Sequence, residues 1–112
     1  MSKGNHIGEL EELILLLVGV LRDEASALGV LQEMKSQTGR VLNISAVHAV
    51  LNRLEEKGYV SSEMGGATQE RGGRRMRFYT LTAAGRQMID QVRSVREKLY
   101  GQLGTTSLYT FS

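Results

Sequence analysis

Residues 70–82 read ERGGRRMRFYTLT. Arg71, Arg74, Arg75 and Arg77 surround two glycines, and an aromatic pair, Phe78 and Tyr79, follows directly. A buried strand does not tolerate that much charge. A disordered tail does not end in Phe78, Tyr79 and Leu81. The stretch therefore predicts a strand over 75–81 that carries a basic tip. Residues 59–64, YVSSEM, predict a second strand. The segment between them, GGATQERGGR, is too long for a two-residue turn and rich in glycine. Together they predict a hairpin that holds its arginines out on a stalk.

Three helices are predicted upstream of this hairpin. The first covers about 8–22, with Glu9, Glu11 and Glu12 where the helix dipole favours anions. Leu10, Leu13, Ile14, Leu17 and Leu21 form one stripe at helical spacing. Leu15, Leu16, Val18 and Val20 fall largely outside it, so the helix is expected to be covered on more than one side. The second covers about 26–38, with Ser26 as N-cap, Leu28, Leu31 and Met34 inward, and Gly39 as its stop. Asn43 caps a third helix over about 44–57, whose core stripe is Val47, Val50, Leu51 and Leu54. Its outward face carries Ser45, Ala46, His48, Ala49, Asn52 and Arg53 and has no acid before Glu55. A negatively charged partner can approach that N-terminal half.

Downstream of the hairpin, Thr82 caps a fourth helix over about 83–100. Met88, Val92, Val95 and Leu99 are spaced four, three, four, as in a short a/d seam. With Leu10, Leu13 and Leu17 of the first helix they are the candidate dimer interface. Arg93 and Arg96 flank the seam. Residues 1–7 and 101–112 are expected to be flexible, leaving 8–82 as the body of one domain and 83–100 as a dimerisation helix.

Charge supports the same division. Residues 71–98 hold eight basic and two acidic groups, a net +6, whereas residues 1–70 hold six basic and ten acidic, a net −4. A chain polarised in this way suits a polyanion on one side. Helix, helix, link, helix, basic hairpin, helix is the order of a winged helix-turn-helix. In that fold the third helix enters the major groove and the hairpin reaches the backbone or the neighbouring minor groove. Candidate DNA contacts are Asn43, Ser45, His48, Ala49, Asn52 and Arg53 on the third helix and Arg71, Arg74, Arg75 and Arg77 on the wing.

Other classes find little support. The chain has no cysteine and two histidines, His6 and His48, with no ligand cluster around them, so no metal or other cofactor is expected. No phosphate-cradling GxxxxGK[ST] and no paired nucleophile and base are present, so an enzyme is not expected. The most apolar run, LILLLVGVL at 13–21, is too short to cross a bilayer, and MSKGNHIGELEE lacks the pattern of a secretory signal. A cytoplasmic protein is expected. The alternative function is a winged-helix module that presents the third helix to a protein rather than to DNA.

GELEELILLLVGVL, then TGR followed by AVHAVLNRLEEKGYV, then ERGGRRMRFYTLTAAG occur in this order. On these stretches the chain resembles the PadR-like transcriptional regulators, of the short subgroup without a separate C-terminal effector domain. The resemblance runs from about Gly8 to Leu99. It implies a homodimeric DNA-binding repressor, paired through its first and last helices and reading an operator with two half-sites. It also allows a small effector, aromatic or cationic, bound near the dimer seam. Two departures stand out: the family usually has tyrosine where this chain has His48, and a Tyr-Gly pair where it has Ser26-Ala27.

Overall fold

A computed structural model describes residues 7–65 and 76–106. The elements are α1 (Glu9–Leu21), α2 (Ala27–Thr38), α3 (Ile44–Glu56), β1 (Val60–Met64), β2 (Arg77–Leu81) and α4 (Ala83–Thr106). This is a mostly helical winged helix-turn-helix with a C-terminal helix.

Local chemistry sets most boundaries. Ser26 Oγ accepts from the Gly29 N–H at 3.0 Å, which starts α2. Gly39, in the left-handed region with φ 79°, ends it and donates its N–H to the Lys35 carbonyl. Asn43 Oδ1 accepts from the Ala46 N–H at 2.8 Å and starts α3. Thr82 does two jobs. Its Oγ1 accepts from the Gly85 N–H at 3.0 Å, capping α4, and its hydroxyl donates to the Gly58 carbonyl at 2.7 Å.

The two strands pair antiparallel with Val60 opposite Leu81, Ser62 opposite Tyr79 and Met64 opposite Arg77. Past the ladder, the Gly65 N–H donates to the Met76 carbonyl and closes the hairpin's base. The other edge of β2 is also engaged: the Tyr79 N–H donates to the Ala25 carbonyl at 2.9 Å. The wing is thus stitched to the α1–α2 connection as well as to its own sister strand.

The core gathers Ile14, Leu15 and Val18 of α1, Val30 and Met34 of α2, Val47, Leu51 and Leu54 of α3, Tyr79 of β2 and Met88 of α4. α1 lies against α2, α3, β2 and α4. Truncating a fully buried leucine such as Leu51 in such a site costs roughly 2–5 kcal/mol.

Four expectations change. In α1 the fully covered residues are Ile14, Leu15 and Val18, while Leu10 and Leu13 are only half-buried. A helix apolar nearly all round does not reveal its own phase, and here the neighbours chose it. In α2 Val30 takes the inward place and Leu28 is exposed, because Ala27, Val30 and Met34 share the face turned to the core. The strands are shorter at their N-terminal ends than expected, starting at Val60 and Arg77. α4 continues six residues beyond residue 100, to Thr106. Gly101 lowers helix propensity by about 1 kcal/mol without breaking the hydrogen-bond ladder, and no proline follows to do so. Residues 1–6, 66–75 and 107–112, on which the expected flexible ends and wing tip fall, lie outside the described residues.

Candidate nucleic-acid interface

The stripe of Val47, Val50, Leu51 and Leu54 that buries one face of α3 turns the other face out. Ser45, His48, Ala49 and Asn52 are exposed there, beside Asn43 at the cap. Position 48 follows 45 by three residues and 52 follows 48 by four, so these side chains stack on one face. The helix brings no acid to that row. The exposed row is therefore made of small and polar side chains without negative charge.

Across from this face stands the base of the wing. A cleft of about 440 Å³ runs between α2, α3 and β2, lined by Leu28, Ile44, His48, Asn52, Met76 and Arg77 among others. Arg77 is exposed, and its guanidinium donates to Ser62 Oγ at 2.9 Å. Ser62 in turn donates to Glu55 Oε2 at 2.8 Å. This relay ties the start of β2, through β1, to the C-terminal end of α3. Behind it Tyr79 is buried, and burial pushes its phenol above the ordinary range, with Arg77 opposing that shift. Arg71, Arg74 and Arg75 lie outside the described residues.

Arg53 sits differently from its neighbours. Its Nε donates to Glu11 Oε2 at 2.9 Å, and Lys57 Nζ lies 3.1 Å from Glu11 Oε1. Glu11 belongs to α1, 42 residues earlier, and no local spacing announces the pair.

The candidate dimer residues divide into two groups. Leu17 and Met88 are buried in the chain's own core, and Leu10, Leu13 and Val92 are half-buried against it. Val95 and Leu99 are 56% and 55% exposed. Four further apolar side chains, Leu16, Val20, Tyr100 and Leu103, are exposed on the same two helices. Leu103 continues the α4 seam by one more step of four, so extending the period past Gly101 finds it in the sequence. Clefts of about 510 and 380 Å³ flank α4, the larger floored by Leu16, Val20 and Ile89. Among the described residues no cluster of ligands could hold a metal ion, and no helix is long and apolar enough to cross a membrane.

The signature of the transcriptional regulator PadR-like family matches residues 16–91. The chain belongs to the PadR-like family. Solved structures of similar shape agree with the PadR fold. A PadR-like transcription factor from Bacteroides fragilis superposes with a TM-score of 0.71 at 24% identity, over 87% of this chain and 88% of that one. A PadR family regulator from Clostridium difficile R20291 gives 0.71 at 16% identity, over 88% and 98%. Bacillus subtilis PadR in complex with operator DNA gives 0.61 at 23% identity, over 73% of this chain and 46% of that one. At these identities the likeness is one of fold. No curated protein matches the sequence. The family is one of transcriptional regulators.

Proposed function

We propose that this PadR-like regulator is a sequence-specific repressor that binds double-stranded operator DNA as a homodimer. The observation that carries the reading is the acid-free exposed row on α3, Ser45, His48, Ala49 and Asn52, facing the base of a wing that leads into Arg71, Arg74 and Arg75. His48 and Asn52 donate to base edges or phosphate. Ser45 and the amide end of Asn43 reach phosphate at the helix start. Ala49 gives the room for close approach and an apolar contact to a thymine methyl. Arg77 and the wing arginines neutralise phosphate and release counterions. Val95 and Leu99, with Leu16 and Val20, supply exposed apolar area for a second copy. A small aromatic or cationic effector beside that seam relieves repression by binding one arrangement of the two copies better than the other.

The test is selection of bound fragments from a random duplex pool. The expected product is two half-sites in inverted orientation, about 10–10.5 base pairs or a multiple apart. Affinity for the selected duplex falls linearly with log salt, at about 0.9 per phosphate neutralised. Retention of no duplex at low salt, with recovery of one stoichiometric protein from nuclease-treated lysate instead, would replace this reading by the protein-interaction alternative.

A further inference from the structure

The first turn of α1 holds three acids, and each reaches a different element. Glu9 accepts from Arg40 at 2.8 Å, in the link between α2 and α3. Glu12 accepts from Arg96 of α4 at 2.9 Å. Glu11, the buried one, accepts from its own cap at Gly8 N (2.9 Å), from Arg53 Nε (2.9 Å) and from Lys57 Nζ (3.1 and 3.2 Å).

Glu11 is costly where it sits, since a charge withdrawn from water must be fully hydrogen-bonded to persist. Burial opposes its ionised form. The Gly8 N–H, Lys57 and Arg53 outweigh that, and the carboxyl lies below its ordinary range. Apolar residues of similar volume often serve as well as a buried ion pair for stability alone. What the carboxylate adds is a fixed address for two cations. Arg53 and Lys57 occupy the C-terminal end of the reading helix, just past Asn52. Unheld, they would extend the basic surface of that helix and attract any phosphate, irrespective of sequence.

We propose that Glu11 is a positioning residue for DNA reading: it pins the C-terminal end of α3 through Arg53 and Lys57 and keeps Arg53 from serving as a phosphate contact. The inference rests on the DNA reading above and changes one expectation from the sequence, since Arg53 then belongs to the clamp rather than to the candidate DNA contacts. Sequence discrimination gains from this arrangement, because charge that binds every duplex equally is withheld while the row from Ser45 to Asn52 is held in register.

The experiment compares wild type, Glu11→Gln, Arg53→Gln and the double variant on two probes, a random-sequence duplex and the duplex recovered by selection, across a range of KCl. Glu11→Gln should steepen the salt dependence on the random duplex by about 0.9 per cation released, one or two in all, and lower the ratio of specific to random affinity. Arg53→Gln alone should leave the slope unchanged, and the double variant should remove the share that Arg53 adds. If Arg53→Gln alone flattens the slope by about 0.9, Arg53 is already a phosphate contact and the proposal fails. That arm decides the matter even if Glu11→Gln does not fold. A folded Glu11→Gln with slope and ratio both unmoved would reduce Glu11 to a structural acid. Wild type that binds neither duplex overturns the DNA reading itself, and this inference with it.

Discussion

Gly85 and Gly101 lie in the same helix, and replacing each by alanine should shift stability in opposite directions. A Cβ on Gly85 would run into the Tyr59 carbonyl oxygen and would lie 2.9 Å from Leu81 Cδ1. The carbonyl cannot yield cheaply, because it accepts the Thr82 N–H at 3.1 Å and that bond holds the hinge between β2 and α4. Overpacking of this kind costs about 1–3 kcal/mol, and an immovable backbone acceptor puts it at the upper end. Alanine returns up to about 1 kcal/mol of helix propensity. Gly85→Ala should therefore destabilise by about 2 kcal/mol net, lowering Tm by roughly 8 °C at about 4 °C per kcal/mol for a chain of this size. At Gly101 nothing lies within 4 Å of an added Cβ. Gly101→Ala should keep the propensity gain and raise Tm by a few degrees, up to about 4 °C. Thermal unfolding followed by circular dichroism, at one fixed protomer concentration, reads both. Gly85→Ala melting at or above wild type would refute the close approach of α4 to the Tyr59 carbonyl.

Two other expectations concern charge and assembly. Because the Glu11 carboxyl is depressed below its ordinary value of 4.5, its contribution to stability is complete above that value and is lost as pH falls through the lower, folded-state value. Wild type should lose stability on acidification more steeply than Glu11→Gln in that window; parallel acid limbs in denaturant titrations would contradict it. Val95→Glu and Leu99→Glu change residues more than half exposed on α4, unlike Val92, which is packed against the core. Both should give folded monomers by sedimentation with much weaker operator binding, whereas intact dimers in both variants would put the interface elsewhere.

What could be read from the sequence follows the range of each interaction. Ser26, Asn43 and Thr82 act on N–H groups three residues away, and all three caps stand where their residue types indicate. Val47, Val50, Leu51 and Leu54 form a clean period, so the phase of α3, and with it the exposed row of Ser45, His48, Ala49 and Asn52, is legible from spacing alone. α1 is apolar almost all round, and its phase is decided by what α2, α3 and α4 present to it, so Leu15 and Val18 displace Leu10 and Leu13 from the centre. Leu28 and Val30 exchange roles for the same reason. The clamp joining Glu11 to Arg53 and Lys57 spans 42 and 46 residues, and a rule that works at three or four residues cannot find it. The extension of α4 is a different case, since a glycine is a weak helix stop unless its backbone turns left-handed, as Gly39 does and Gly101 does not.

Because α1 lies against α4, α1 leaves the ribosome well before the helix that completes its surroundings. From Leu15 to Met88 the chain must lengthen by more than seventy residues, which at ordinary synthesis rates takes roughly 4–15 s. During that interval the greasiest segment of the nascent polypeptide has no finished shelter, and transiently exposed apolar surface of this kind is where aggregation begins.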